Sequence, residues 1–195
     1  METWAIILAA GESSRMKANK LLLPFHGQPM ISVVVAHAIE AGIENILVVT
    51  GATRDELLPV ISKLPVKHCH NSDYPQGMLS SVQCGLKNTP ESMNAAFIFL
   101  GDQPEVPASV PIMLAKAQVE SGKGILVPVF SGKRGHPLMI HARFRNEVAA
   151  LPQDKGLRGL LDRFPDEVLE VEVDTPGILK DIDSPEDYNE LTKSK

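Results

Sequence analysis

Gly11, Arg15 and Lys20, set just behind an apolar run, are the first residues whose types and spacing could do chemistry. The run at 4–9 is continuously apolar and too short for an ordinary helix, so it reads as a buried strand. It ends in Ala9-Ala10-Gly11, followed by Ser13, Arg15 and Lys20. Small residues let a backbone turn tightly and come close to a ligand. Successive N–H groups in such a turn make a concavity for anions, and Arg15 and Lys20 bring full charges beside it. By composition this is a phosphate cradle, with a plain strand–loop connection as the alternative. The spacing matches neither GxGxxG nor GxxxxGK[ST], which argues against a dinucleotide fold and a P-loop ATPase.

A carboxylate stands in a comparable place behind another apolar run, at 95–100, in Gly101-Asp102-Gln103-Pro104. In open α/β sheets ligands bind outside the carboxyl ends of strands, where both Asp102 and the Gly11 turn would lie. Magnesium is commonly held by one or two carboxylates together with substrate phosphates and water, a role that suits Asp102. An Asp that caps the next turn is the other reading. A second acidic centre runs through Asp181, Asp183, Glu186 and Asp187. Its residue types describe a capped helix start, with Ser184 as N-cap, Pro185 in the first helical position and Asp187 three residues after the cap. Between these centres, Gly77 allows close backbone approach, and Ser80 and Ser81 present hydroxyls near a helix start, a place suited to anions and ribose. A capped helix after a loop accounts for the serines equally well. The basic turn Lys133-Arg134-Gly135-His136-Pro137 could face an acceptor or be a solvated hairpin tip, with His136 a satisfied structural histidine. His68 and His70 supply too few ligands for a metal site, and Cys84 reads as a small core residue.

Elements must carry these residues to one place. Strand-like runs at 4–9, 46–49, 66–70, 95–100 and 124–129 alternate with helical patterns at 30–41, 53–64, 78–87 and 110–120. Pro59 should shorten or kink the second helix. The later part is less regular: a strand at 136–140, short helices at 144–151 and 157–164, an alternating strand at 168–173 and a final helix from 185. This βαβ alternation predicts an α/β fold with a mainly parallel, Rossmann-like sheet and helices on both faces, a three-layer α/β/α arrangement.

The 195 residues fit one domain, long enough to bury roughly 70% of the unfolded chain's surface. Apolar content of 44% with 22% charged residues is ordinary for a globular protein. A net charge of −5 argues against a nucleic-acid partner. Two cysteines, Cys69 and Cys84, without CxxC spacing fit a reduced, cytoplasmic setting. Neither an export signal nor a membrane span is expected.

The ordered set Leu8-Ala9-Ala10-Gly11-x-Ser13-x-Arg15-Met16-x-x-x-Lys20-x-Leu22-Leu23-Pro24, Gly77-Met78-x-x-Ser81, Gly101-Asp102-Gln103-Pro104, Arg134-Gly135-His136-Pro137 and Asp181-x-Asp183-Ser184-Pro185 resembles the nucleotidyltransferases with a glycosyltransferase-A-type fold. Within them it is most similar to the molybdenum cofactor cytidylyltransferase branch. Lys17 stands where that family usually has glycine, and Ser184 where it usually has threonine. The resemblance implies the nucleotide-diphospho-sugar transferase type of fold and a Mg2+-dependent reaction. In that reaction CMP from CTP would pass to the phosphate of molybdopterin with release of pyrophosphate. It implies Lys20, Arg15 and Asp102 as catalytic residues and Asp102 with Asp183 as metal ligands, Asp181 being an alternate. Leu8, Ala9, Ala10, Gly11, Ser13, Gly77, Met78, Ser80 and Ser81 would contact nucleotide, while Arg134 and His136 would face the acceptor. Asp154-Lys155-Gly156-Leu157-Arg158 resembles a further acceptor-side motif. Guanylyl transfer to molybdopterin and transfer to a sugar phosphate are alternatives by the same machinery. In another class stands a non-catalytic nucleotide-binding protein that hands cofactor to a molybdenum hydroxylase as recipient.

Overall fold

The computed structural model describes residues 2–12, 16 and 18–193. The expectations placed on Ser13, Arg15 and Lys17 therefore lie outside the described residues. Ten strands are assigned: β1 (Thr3–Ala9), β2 (Pro24–Phe25), β3 (Gln28–Pro29), β4 (Asn45–Thr50), β5 (Lys67–His70), β6 (Ala95–Leu100), β7 (Ile125–Phe130), β8 (Lys133–Arg134), β9 (Leu138–His141) and β10 (Val168–Glu172). The α-helices are α1 (Met30–Glu40), α2 (Arg54–Ile61), α3 (Met78–Lys87), α4 (Ser109–Ser121), α5 (Arg145–Ala149), α6 (Arg158–Arg163) and α7 (Pro185–Lys193). The main sheet runs β10-β7-β9-β6-β1-β4-β5, with β8 hydrogen-bonded to β7. The β1–β4, β1–β6, β4–β5 and β7–β10 pairs are parallel. β9 runs antiparallel to both its neighbours. The sheet is thus mixed and mostly parallel, as the βαβ alternation predicts.

Side chains of a strand point to alternate faces, so each central strand feeds two cores. From β1, Trp4 and Ile6 pack under α3, α5 and α6 with Leu79, Val82, Val148 and Leu160. Ala5, Ile7 and Ala9 pack on the other face beneath α1, α2 and α4 with Ile31, Val34, Leu57 and Leu114. β6 is buried along its whole length, which explains why it reads as a continuous apolar run. A third, smaller cluster of Phe25, Met30, Val33, Ile182 and Leu191 holds α7 against the start of α1. The chain's two cysteines face one another between β5 and α3, with sulfurs 3.8 Å apart. Burial, and then the Cys84 thiol beside it, pushes the Cys69 thiol up to about 12.

Two expected boundaries move for identifiable reasons. The second helix starts at Arg54 and stops at Ile61, two residues after Pro59, whose ring carries no N–H for the ladder. The strand expected at 136–140 begins only at Leu138, because the His136 N–H is spent on the Ile178 carbonyl.

Candidate active site

The carboxyl ends of β1, β4 and β6 meet at one edge of the sheet, and small residues are what let them converge. The Gly101 N–H donates to the Leu8 carbonyl at 2.9 Å. A Cβ on Gly101 would stand 2.9 Å from that same oxygen, and one on Gly51 would stand 2.5 Å from the Ala10 carbonyl. Beyond this edge lies a cavity of about 340 Å3 lined by Leu8, Ala10, Gly11, Tyr74, Gly77, Met78, Ser81, Leu100, Asp102, Asp181 and Asp183. Among the described residues, a Cβ built on Gly11 would meet no atom within 4 Å, so the backbone there leaves room for a ligand.

Lys20 enters from a 3-10 turn, Lys20–Leu22, whose start is capped by the buried Asn19, its side-chain oxygen accepting from the Leu21 N–H at 3.2 Å. The Lys20 Nζ lies 2.6 Å from Asp102 Oδ2 and 2.7 Å from Asp183 Oδ1. Residues 20, 102 and 183 therefore converge, as the resemblance implies. Burial alone would push the Lys20 ammonium below its ordinary range. The charge and hydrogen bond of Asp102, joined by those of Asp183, outweigh burial and leave it raised. Asp183 arrives by a separate route. The Ile182 N–H donates to the Asp102 main-chain carbonyl at 3.1 Å, and Ile182 is buried beside α7. Asp187 Oδ2 accepts from the Ser184 N–H at 2.8 Å while Ser184 Oγ accepts from the Asp187 N–H at 3.2 Å. That is the capping box expected from Ser184-Pro185-Glu186-Asp187.

The donor set can be tested against a divalent ion. Two carboxylate oxygens already sit within 2.7 Å of one cationic atom, so both can reach a common point. Hard oxygen ligands on two side chains, with room for phosphate and water, are what magnesium or manganese takes. Asp102 and Asp183 fit such an ion at the point that the Lys20 ammonium takes here. Asp181, the alternate ligand, also lines the cavity, with its Oδ1 accepting from Gln103 Nε2 at 2.5 Å. Burial away from water raises the pKa of its carboxyl group; the Gln103 hydrogen bond opposes that, while the Asp102 and Asp183 carboxylates add to it.

Not every expected contact reaches the cavity. Gly77 does, with φ +108°, a backbone state that favours glycine, and it brings Met78 and Ser81 with it. Ser80 is turned inward instead: its hydroxyl lies 2.9 Å from the Asp73 carbonyl and 2.8 Å from that of Gly77, and it accepts from Asn71 Nδ2. Ala9 is buried beneath the helices on the opposite face from Leu8. Arg134 is drawn to the sheet edge, its Nε 2.7 Å from Glu170 Oε1. His136 lies nearer the centre, with Nδ1 3.2 Å from the Ile98 carbonyl. Burial lowers its pKa, against weaker opposing effects of that hydrogen bond and of Asp102.

Four contributors escaped the sequence reading. Asn71, buried, ties Ser80 and Ser81 together through its side-chain amide. Asn19 caps the Lys20 turn, Tyr74 walls the cavity, and Gln103 grips Asp181. The Asn-Ser-Asp run was a legible turn signal for Asn71. Gln103 stands within the Gly101-Asp102-Gln103-Pro104 motif, whose form does not show what its amide would hold, and Asn19 and Tyr74 carried no signal.

Comparison with known proteins agrees with this fold. The family model of the MobA-like NTP transferase domain matches residues 5–170. The chain is 27% identical over 184 residues to the molybdenum cofactor cytidylyltransferase of Escherichia coli (strain K12), covering 94% of this chain and 92% of that one. It is 30% identical over 203 residues to the purine catabolism protein PucB of Bacillus subtilis (strain 168), covering 97% and 95%. In structure it superposes on Rv0371C of Mycobacterium tuberculosis H37Rv, solved as a complex with manganese, with a TM-score of 0.83 at 23% identity and complete coverage of both chains. An α/β fold with converging strand ends, a lysine between two aspartates and a family match over most of the chain lead to one assignment: this protein is a nucleotidyltransferase belonging to the MobA-like NTP transferase domain family.

Proposed function

We propose that the chain, acting as one nucleotidyltransferase domain, transfers CMP from CTP to the phosphate of molybdopterin, with magnesium and with release of pyrophosphate. The observation that carries this reading is the convergence of Asp102 and Asp183 on the Lys20 ammonium at the mouth of a cavity that begins at Gly11. The molybdenum cofactor cytidylyltransferase of E. coli, alike over nearly the whole chain, supports this nucleotide and acceptor. The manganese in the M. tuberculosis neighbour supports a divalent ion.

An acceptor phosphate is already ionised near neutral pH, so it can attack the α-phosphorus without a protein general base. Catalysis is then a matter of position and charge. Gly11 and the turn before it approach the triphosphate through main-chain N–H groups. Lys20, released from its aspartates, holds the phosphates and offsets charge gathering on the departing pyrophosphate. Arg15 is proposed for the same triphosphate. Asp102 and Asp183 would hold the ion. When bound, magnesium supplies Lewis-acid neutralisation of the α-phosphate and orients the acceptor oxygen toward it. Leu8, Ala10, Gly77, Met78 and Ser81 enclose the nucleoside, and the turn that carries Arg134 and His136 is proposed for the acceptor side.

The deciding experiment incubates the protein with molybdopterin, magnesium and each of the four triphosphates in turn, reading pyrophosphate. Release with CTP alone supports the proposal. Release with GTP would move it to guanylyl transfer, and none with any triphosphate would leave a nucleotide-binding carrier. Asp102→Ala should abolish release and keep the fold; near-normal turnover would remove Asp102 from the mechanism.

A further inference from the structure

Asp183 faces Asp102 across the Lys20 ammonium although the two carboxylates repel one another. Something must keep the segment that carries Asp183 from drifting away. The 174–183 segment is not part of the main sheet. It runs past the turn after β6, with Ile178 and Ile182 buried in two small apolar clusters, and polar contacts set its register there. The Ile182 N–H reaches the Asp102 carbonyl. The Lys180–Glu105 ion pair at 2.9 Å is half-open to water and of the kind that contributes little. The Lys20 ammonium holds Asp183 itself at 2.7 Å, the His136 N–H donates to the Ile178 carbonyl at 3.1 Å, and Gln103 is the side chain that reaches both Ile178 and Asp181. This side chain is buried, and its Nε2 donates both to the Ile178 carbonyl at 3.3 Å and to Asp181 Oδ1 at 2.5 Å. Among the described residues its own Oε1 is buried without a hydrogen-bond partner, so the amide grips the segment from its donor side.

We propose that Gln103 is a positioning residue that clamps 178–181 onto the β6 turn, so that Asp102, its neighbour in sequence, and Asp183 meet at a single divalent cation. The inference rests on the metal reading above. Gln103 touches neither ion nor substrate. It acts through Asp181 and the Ile178 main chain, which also gives Asp181 its place in the site: an anchor for the clamp, where the motif alone makes it an alternate ligand. Partners that hold the ligands of an ion are worth about 10- to 100-fold in metal affinity, which sets the effect to be sought.

The test uses the metal alone. Binding of Mn2+ to the whole chain, followed by electron paramagnetic resonance of the free ion, is compared for wild type, Asp102→Asn, Gln103→Met and Gln103→Glu. Methionine keeps the length of the side chain and removes both donors; glutamate keeps the shape and sets a carboxylate against Asp181. Wild type should bind, Asp102→Asn should lose binding, and both Gln103 variants should bind about tenfold more weakly or worse. Turnover of the Gln103 variants should recover as Mn2+ is raised, with the KM for nucleotide unchanged, a pattern that general loss of structure would not give. If Gln103→Met fails to melt cooperatively, Gln103→Glu decides. Wild-type affinity in a folded Gln103 variant, with binding lost in Asp102→Asn, overturns the clamp and leaves the metal reading standing. No uptake by wild type, or equal uptake by Asp102→Asn, overturns the metal reading and the clamp with it.

Discussion

The Lys20 ammonium is pulled two ways, down by burial and up by two carboxylates, and the carboxylates prevail. The sign follows from linkage. A base whose folded pKa is raised contributes stability that is fully present below the ordinary lysine range and lost only as pH rises through the raised value. At neutral pH Lys20 is therefore charged. Lys20→Met is expected to cut turnover by ~10²-fold or more, each tenfold being about 1.4 kcal/mol; if steady-state kinetics show only a higher KM for nucleotide, Lys20 serves binding and not the transition state. His136 behaves in the opposite sense. Its pKa is lowered by burial, so the unfolded chain takes up the proton first as pH falls below about 6.5, and stability drops from there down to the folded value. His136→Gln, whose amide can still donate to the Ile98 carbonyl, should flatten that slope in denaturant melts taken across pH; an unchanged slope would assign it to other groups.

The elements that present these side chains have devices of their own. The capping box joining Ser184 and Asp187 fixes the first turn of α7, and Asp183 is the residue directly before it. Ser184→Ala is expected to cost about 1 kcal/mol and to raise the magnesium needed for half-maximal turnover, because the fraying turn carries Asp183. A thermal melt and a metal titration on the same preparation check both halves, and a stability loss without the metal effect would uncouple cap from site. The helix α3 is set differently: its approach is fixed by Gly77 in a left-handed backbone state and by the Asn71 amide bridging Ser80 and Ser81. Ser80 is therefore a strut of the loop, and Ser81 alone of the pair lines the cavity.

Across the whole molecule the site depends on distant segments packing without side chains between them. A Cβ on Gly135 would come within 2.3 Å of the Ile178 carbonyl, and one on Gly177 within 2.5 Å of the Glu105 carbonyl. These atoms are main chain and cannot turn away, so Gly135→Ala should push the 174–183 segment off the β7–β9 end of the sheet. Hydrogen exchange is expected to rise in 176–183 well before the central strands are affected, with loss of metal-dependent turnover. Protection equal to wild type would show that the segment is held elsewhere. Among the described residues no helix is long and apolar enough to cross a membrane.

The chain's own pattern was enough for the main-sheet strands, the alternation that makes the sheet mostly parallel, and the strand-end positions of Gly11 and Asp102, since burial on both faces writes itself as an apolar run. The motif resemblance carried Lys20 and Asp183, and local chemistry carried the capping box, because a cap is decided within four residues. Period two also puts the side chains of Leu8 and Ala9 on opposite faces of the sheet. Only the tertiary structure decided the rest. Whether Ser80 faces inward, whether Arg134 is taken by Glu170, and that Gln103 holds Asp181 all depend on segments tens of residues apart. A hydrogen bond across such a gap leaves no periodic trace in the residues that make it.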